Sequence, residues 1–231
     1  MLTAAEWEAI RLTLLVAATA VVASLPFAIA LGWLLAKRNF PGKFLVETAI
    51  NLPLVLPPVV TGYLLLVTFG RNGPFGTFLE DRLGIRFVFN WKGAALASAV
   101  VAFPLLVRPI RLAFSAVDDR LIHAARTLGA GPWDAFRSIV LPLARPGIAS
   151  GSILGFARSM GEFGATIMIA GNIPGATRTV PLLIYSELDS PGGMQHAVPL
   201  VVASVVIAAI ALWVGELLDR YGSRRLRGAG A

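Results

Sequence analysis

The chain has 231 residues, 56% of them hydrophobic and only 14% charged, with a mean hydropathy of +0.75. A soluble domain carries about 25% charged residues, so this composition points to a membrane protein. The formal charge of +7 comes from basic residues gathered at the ends of apolar runs, which argues for membrane orientation rather than nucleic-acid binding.

The absence of cysteine excludes disulfides, thiolate catalysis and iron–sulfur ligation. His123 and His196 are the only histidines, and two isolated histidines make a poor metal site. Runs of about 18 or more apolar residues with almost no charge read as membrane spans. Five are expected, near residues 9–36, 45–69, 93–117, 147–170 and 196–218.

The first run follows Glu6 and Glu8 and ends at Lys37 and Arg38. A cleaved leader has the opposite charge order, so this run is expected to be a retained span. The second contains NLPLVLPPVVTGYLLL, from Asn51 to Leu66. Its prolines, with Thr61 and Gly62, break an otherwise plain apolar helix. Pro57, Pro58 and Thr61 are therefore candidates for lining a path that opens and closes, ordinary kinked packing being the plainer alternative.

Residues 70–92 carry the turn signal FGRNGPFG and then the alternating IRFVFNW, whose Phe87, Phe89 and Trp91 suit a membrane interface. The third span contains Pro104 and Pro109.

Between the third and fourth spans the chain turns polar. Asp118 and Asp119 suit a helix start. Leu121, Ala124, Ala125 and Leu128 then share one helix face, and Gly129 can end the helix in the left-handed conformation. Pro132 suits the first position of a second helix. Trp133, Phe136 and Val140 make its apolar face, with Arg137 beside them and Pro142 expected to interrupt it. The result is a helix–turn–helix at the membrane surface. It either rests on lipid headgroups or docks a soluble partner, for which tryptophan and arginine are typical anchors.

The fourth span holds Arg158 and Glu162, four residues apart and expected on one helix face. Charges within a span are costly and face protein or water. They form either a neutralised structural pair or, with Thr166, part of a path or gate. Glu162 offsets the attraction of Arg158 for an anion, so no tight anion site is assigned there. Residues 171–195 contain two Gly/Pro turns around a short apolar helix or strand.

With the N-terminus outside, thirteen lysines and arginines fall on the cytoplasmic side and six outside. That bias favours N-out, C-in, and places residues 118–146 in the cytoplasm.

Ala124, Ala125, Gly129, Ile139, Leu141 and Pro142 together resemble the Glu-Ala-Ala loop of bacterial ABC-importer permeases. His123 stands where that motif has glutamate. The stretch FARSMGEFGATIMIAGNIPGATRTVP, with LPLVLPPVVTGYLLL and AARTLGAG, looks like the molybdate and sulfate branch of that family, and most like its molybdate permeases. The resemblance covers nearly the whole chain.

It implies an all-α inner-membrane domain over residues 1–231, with a core near 9–218 and a coupling loop near 118–146. It also implies a homodimer, two ATPase subunits and a periplasmic molybdate-binding protein. The docking loop would comprise His123, Ala124, Ala125, Gly129, Pro132, Trp133, Phe136, Arg137, Ile139, Leu141 and Pro142. ATP and magnesium would sit in the ATPase, and this chain would hold no cofactor.

The residues agree on that last point. Lysine occurs only at Lys37, Lys43 and Lys92, none of them in a phosphate loop, so the energy source is expected to be another chain. Tungstate, sulfate or thiosulfate are alternative cargoes. An ion-coupled secondary transporter would need more ionisable groups at mid-membrane than Arg158 and Glu162. A membrane scaffold that transports nothing would not need the docking loop.

Overall fold

The computed structural model describes residues 3–190, 193, 195, 197–210 and 213. Every regular element among them is a helix.

The first helix, α1 (Ala4–Lys37), starts with a capping box in which Thr3 and Glu6 satisfy each other's backbone amides. A 116° bend separates α2 (Lys43–Val55) from α3 (Pro58–Phe69). A short helix, α4 (Pro74–Leu83), follows, and then α5 (Trp91–Ser115) crosses the core. Next come α6 (Asp119–Thr127) and α7 (Pro132–Met160). The remaining elements are α8 (Gly164–Ala170), α9 (Val180–Leu188) and α10 (Ala197–Ile210).

Three of these, α1, α5 and α7, are long and apolar enough to cross a bilayer, and the bent α2–α3 pair makes a fourth if taken as one span. Of the expected fifth span, residues 197–210 form an apolar helix. Apart from Trp213, its remainder, with His196 and the basic tail, lies outside the described residues.

The core is the α1–α5–α7 triplet, and small residues set its spacing. Gly147, Gly151 and Gly155 fall four residues apart on α7, facing Pro109 and Leu106 of α5. A methyl group on Gly151 would lie 2.7 Å from the Leu106 carbonyl oxygen. Gly32 of α1 is as tight against Ile110, at 2.8 Å. Around these contacts Val21, Leu35, Leu106, Ile110, Phe114 and Val140 form one buried cluster. A second, with Val16, Leu65, Val101 and Ile169, joins α1, α3, α5 and α8.

Three expectations change. The 45–69 run is a bent pair, because Pro58 starts a fresh helix and Leu56 leaves the helical region. The 147–170 run is displaced: α7 begins at Pro132, ends at Met160, and the chain resumes as α8. Pro142 does not interrupt. A π turn over Phe136–Val140 shifts the hydrogen-bond register, so the helix passes through Pro142 and Pro146 without ending.

Helix α4 lies in a loop expected only to turn. It starts with Pro74 and ends at the left-handed Gly84.

Candidate functional site: the coupling loop and the break after α7

The loop between α5 and α7 has two ends of different character. Asp118 caps α6, its carboxylate accepting the Arg120 amide at 2.9 Å. Gly129 closes α6 with φ of +91°, a conformation that glycine adopts without strain. His123, Ala124, Gly129 and Pro132 are exposed and Ala125 half-exposed. Leu128 is 89% exposed and Leu121 46%. The apolar face of α6 is thus turned away from the protein. Leu128, predicted only to share the apolar face of α6, is thus a further docking candidate; its signal in the sequence is an apolar side chain directly before the terminating glycine.

The aromatic end is tied to the membrane helices. Phe136 packs on Phe114, on Trp33 of α1 and on Trp133, with ring centroids 6.2, 5.9 and 5.5 Å apart. Ile139, Leu141 and Pro142 are half-buried in α7, and Arg137 is exposed. So the sequence-selected residues divide. His123 to Gly129 form a free tip, and Phe136 to Pro142 form the root.

Polar bonds hold the base of the loop to the first two helices. The Lys37 ammonium donates to the Val117 carbonyl and to Asp119, both at 2.6 Å. That contact holds the Asp119 carboxyl below its ordinary pKa, through the hydrogen bond and then the charge of Lys37. Arg111 pairs with Glu47 at 2.9 Å, and Arg108 donates twice to Asn51 at 2.9 and 2.7 Å. No residue of α2 is fully buried, and these bonds add to the packing of half-buried Val46 and Ile50 on the core to fix α2 against α5.

Arg158 and Glu162 meet at 2.8 Å, but not on one helix face. Helix α7 ends at Met160, and the pair spans the break before α8. The other Glu162 oxygen accepts the Ala165 amide at 2.8 Å. The Glu162 side chain is 2% exposed and that of Arg158 30%.

Helix α3 crosses α8 just beyond the break. A methyl on Gly62 would lie 2.7 Å from the Ala165 Cα, and one on Gly164 would lie 2.9 Å from Pro58. Thr61 and Thr166 flank this crossing, both buried, and their hydroxyls have no hydrogen-bond partner among the described residues. The fold therefore brings Pro58, Thr61, Thr166 and the Arg158–Glu162 pair to one region, while Pro57 stays exposed at the bend.

A family model described as "Binding-protein-dependent transport system inner membrane component" matches residues 28–227. The molybdenum transport system permease protein ModB of Escherichia coli (strain K12) is 53% identical over 225 residues, covering 97% of this chain and 98% of that protein. The sulfate transport system permease protein CysT of the same strain is 35% identical, covering 94% of this chain and 78% of that protein. Among solved structures, a bacterial ABC transporter involved in the import of the acidic polysaccharide alginate aligns with a TM-score of 0.70. It does so at 19% identity over 97% of this chain and 80% of that one.

Proposed function

Because this chain belongs to the family of binding-protein-dependent transport system inner membrane components, we propose that it is the permease subunit of an ATP-driven importer of molybdate. It is a multi-pass inner-membrane protein and not itself a catalyst. Two copies form the path, two ATPase subunits with ATP and magnesium dock on the cytoplasmic loops, and a periplasmic binding protein delivers the oxyanion. The observation that carries the cargo is the gap between 53% identity to a molybdenum permease and 35% to a sulfate permease, each over nearly all of this chain.

Transport follows from coupling two states. A ligand shifts a conformational equilibrium only by its differential affinity for the two forms. The ATPase pair therefore binds the loop tips differently when closed. The free tip, with Leu128 and the exposed face of α6, is the surface it grips. The aromatic root passes the displacement into α7, whose far end is the Arg158–Glu162 break. There α8 and α3 reorient about the 116° bend.

The test is ATP hydrolysis by the purified complex in liposomes, with its binding protein loaded in turn with molybdate, tungstate or sulfate. Stronger stimulation by molybdate than by sulfate supports the cargo. Stimulation by sulfate alone keeps the importer and overturns the cargo. Failure of any ATPase to co-purify overturns the importer.

A further inference from the structure

A groove of about 670 Å³ runs between α1 and the start of α7. Its walls include Pro26 and Trp33 on one side and Trp133, Phe136 and Leu141 on the other. We propose that it holds an acyl chain of an anionic phospholipid from the leaflet on the coupling-loop side, with Arg137 on the lipid phosphate.

Depth selects the occupant. Pro26 lies eleven residues before Lys37 on an unbroken helix, about 16 Å along the axis at 1.5 Å per residue. That is roughly half the thickness of the hydrocarbon core. A soluble subunit docked on the loop tip does not reach so far into the bilayer. Trp33 and Trp133 stand at the loop end of the groove, where indole rings prefer the headgroup boundary. Trp133 is 68% exposed although its neighbour Phe136 is packed on Phe114, so its ring borders open apolar space.

Charge selects the headgroup. Arg137 sits between Trp133 and Leu141, four residues from each, and both of those line the groove. It is exposed and has no carboxylate partner among the described residues. Lys37, the basic residue at the end of α1, is already held by Asp119 and the Val117 carbonyl. Arg137 is thus free to take a phosphate, which a guanidinium binds through two parallel hydrogen bonds. A basic residue at an anionic surface favours the lipid about fivefold. The inference needs membrane residence only, so it stands whichever oxyanion is carried.

The test uses the whole complex in phosphatidylcholine nanodiscs doped with brominated phosphatidylglycerol or brominated phosphatidylcholine. Tryptophan quenching is read in the parent protein and in Trp133→Phe, the difference isolating Trp133 from the other four tryptophans. The Trp133 signal is expected to be quenched at about fivefold lower mole fraction by the anionic lipid. Arg137→Gln is expected to bring the two lipids level, and Ala30→Phe, which fills the groove from its α1 wall, to protect Trp133 from both. Each variant is first checked for elution as a monodisperse complex. Equal quenching by the two lipids in the parent, or a preference that survives Arg137→Gln, overturns the headgroup assignment. A Trp133 signal that neither lipid quenches means that protein covers the groove, from the ATPase or a second copy, and overturns the proposal.

Discussion

Glu162 accepts the backbone amide of Ala165 at 2.8 Å, and so caps a helix of which it is not a member. Its second oxygen holds Arg158, the last charged residue of α7. One buried carboxylate thereby joins the ends of two helices. A Glu162→Gln variant keeps an acceptor for Ala165 and loses the charge, whereas Glu162→Ala loses both.

The two variants are therefore expected to separate. Glu162→Ala should lower stability by about 1–3 kcal/mol, because a buried amide is left unsatisfied. Glu162→Gln should stay close to the parent in thermal unfolding in detergent and yet transport more slowly. Normal uptake and normal ATP coupling in Glu162→Gln would leave the pair with a structural role alone.

Gly151→Ala places a methyl against the Leu106 carbonyl. Overpacking of this kind costs about 1–3 kcal/mol, so a lower unfolding temperature is expected. Gly161→Ala, where the nearest atom lies 4.0 Å away, is the control and should change little. Equal effects of the two would show that α5 and α7 do not pack as closely as described.

Leu128→Glu should reduce ATPase co-purification while leaving the amount of membrane-inserted protein unchanged. The side chain is 89% exposed, so the folded chain loses no packing by the change. Unchanged co-purification would remove the loop tip from the docking surface.

The chain contains no cysteine, so Glu47→Cys with Arg111→Cys gives a clean pair for a short thiol crosslinker. The two native side chains meet at 2.9 Å. If α2 must part from α5 during transport, the crosslinked protein stops and a cleavable linker restores uptake on reduction. Full activity while crosslinked would mean that α2 and α5 move together.

Asp119 gives a pH expectation. Lys37 lowers its folded pKa below the ordinary 3.8. The stabilisation is fully present above that ordinary value and is lost as pH falls through the lowered one. Asp119 is largely exposed, so the effect is small. Unfolding temperatures of the parent and Asp119→Asn should thus differ by a constant small amount between pH 6 and 8, and converge in strong acid. A difference that grows between pH 6 and 8 would assign the titration to another group.

Much of this was legible in the residues. Gly129 and Pro132 punctuate the loop where the structure turns, because a left-handed glycine and a first-turn proline act locally. The break after Met160 was not legible. Arg158 and Glu162 are spaced for one helix face, and only tertiary capping of α8 shows that they bridge two helices. The passage of α7 through Pro142 was equally hidden, since a π turn leaves no composition signal. The split of the 118–146 loop into tip and root depended on Trp33 and Phe114, which lie about a hundred residues from Phe136 in their farther contact and twenty-two in the nearer. No local pattern reports such partners.

The glycine row on α7 has a mechanical consequence. Where Gly147 and Gly151 face α5, backbone approaches the Pro109 and Leu106 carbonyls, and at Gly155 the Leu106 side chain fills the space that a Cβ would take. Such a contact resists pulling apart, because close approach maximises dispersion. It also resists sliding along the axis, because the buried Leu106 side chain seated at Gly155 would have to change rotamer before α7 could pass it. Helix α7 is thereby keyed to α5 at one point, like a shaft held by a pin, and a side chain added at Gly155 would push the pin out.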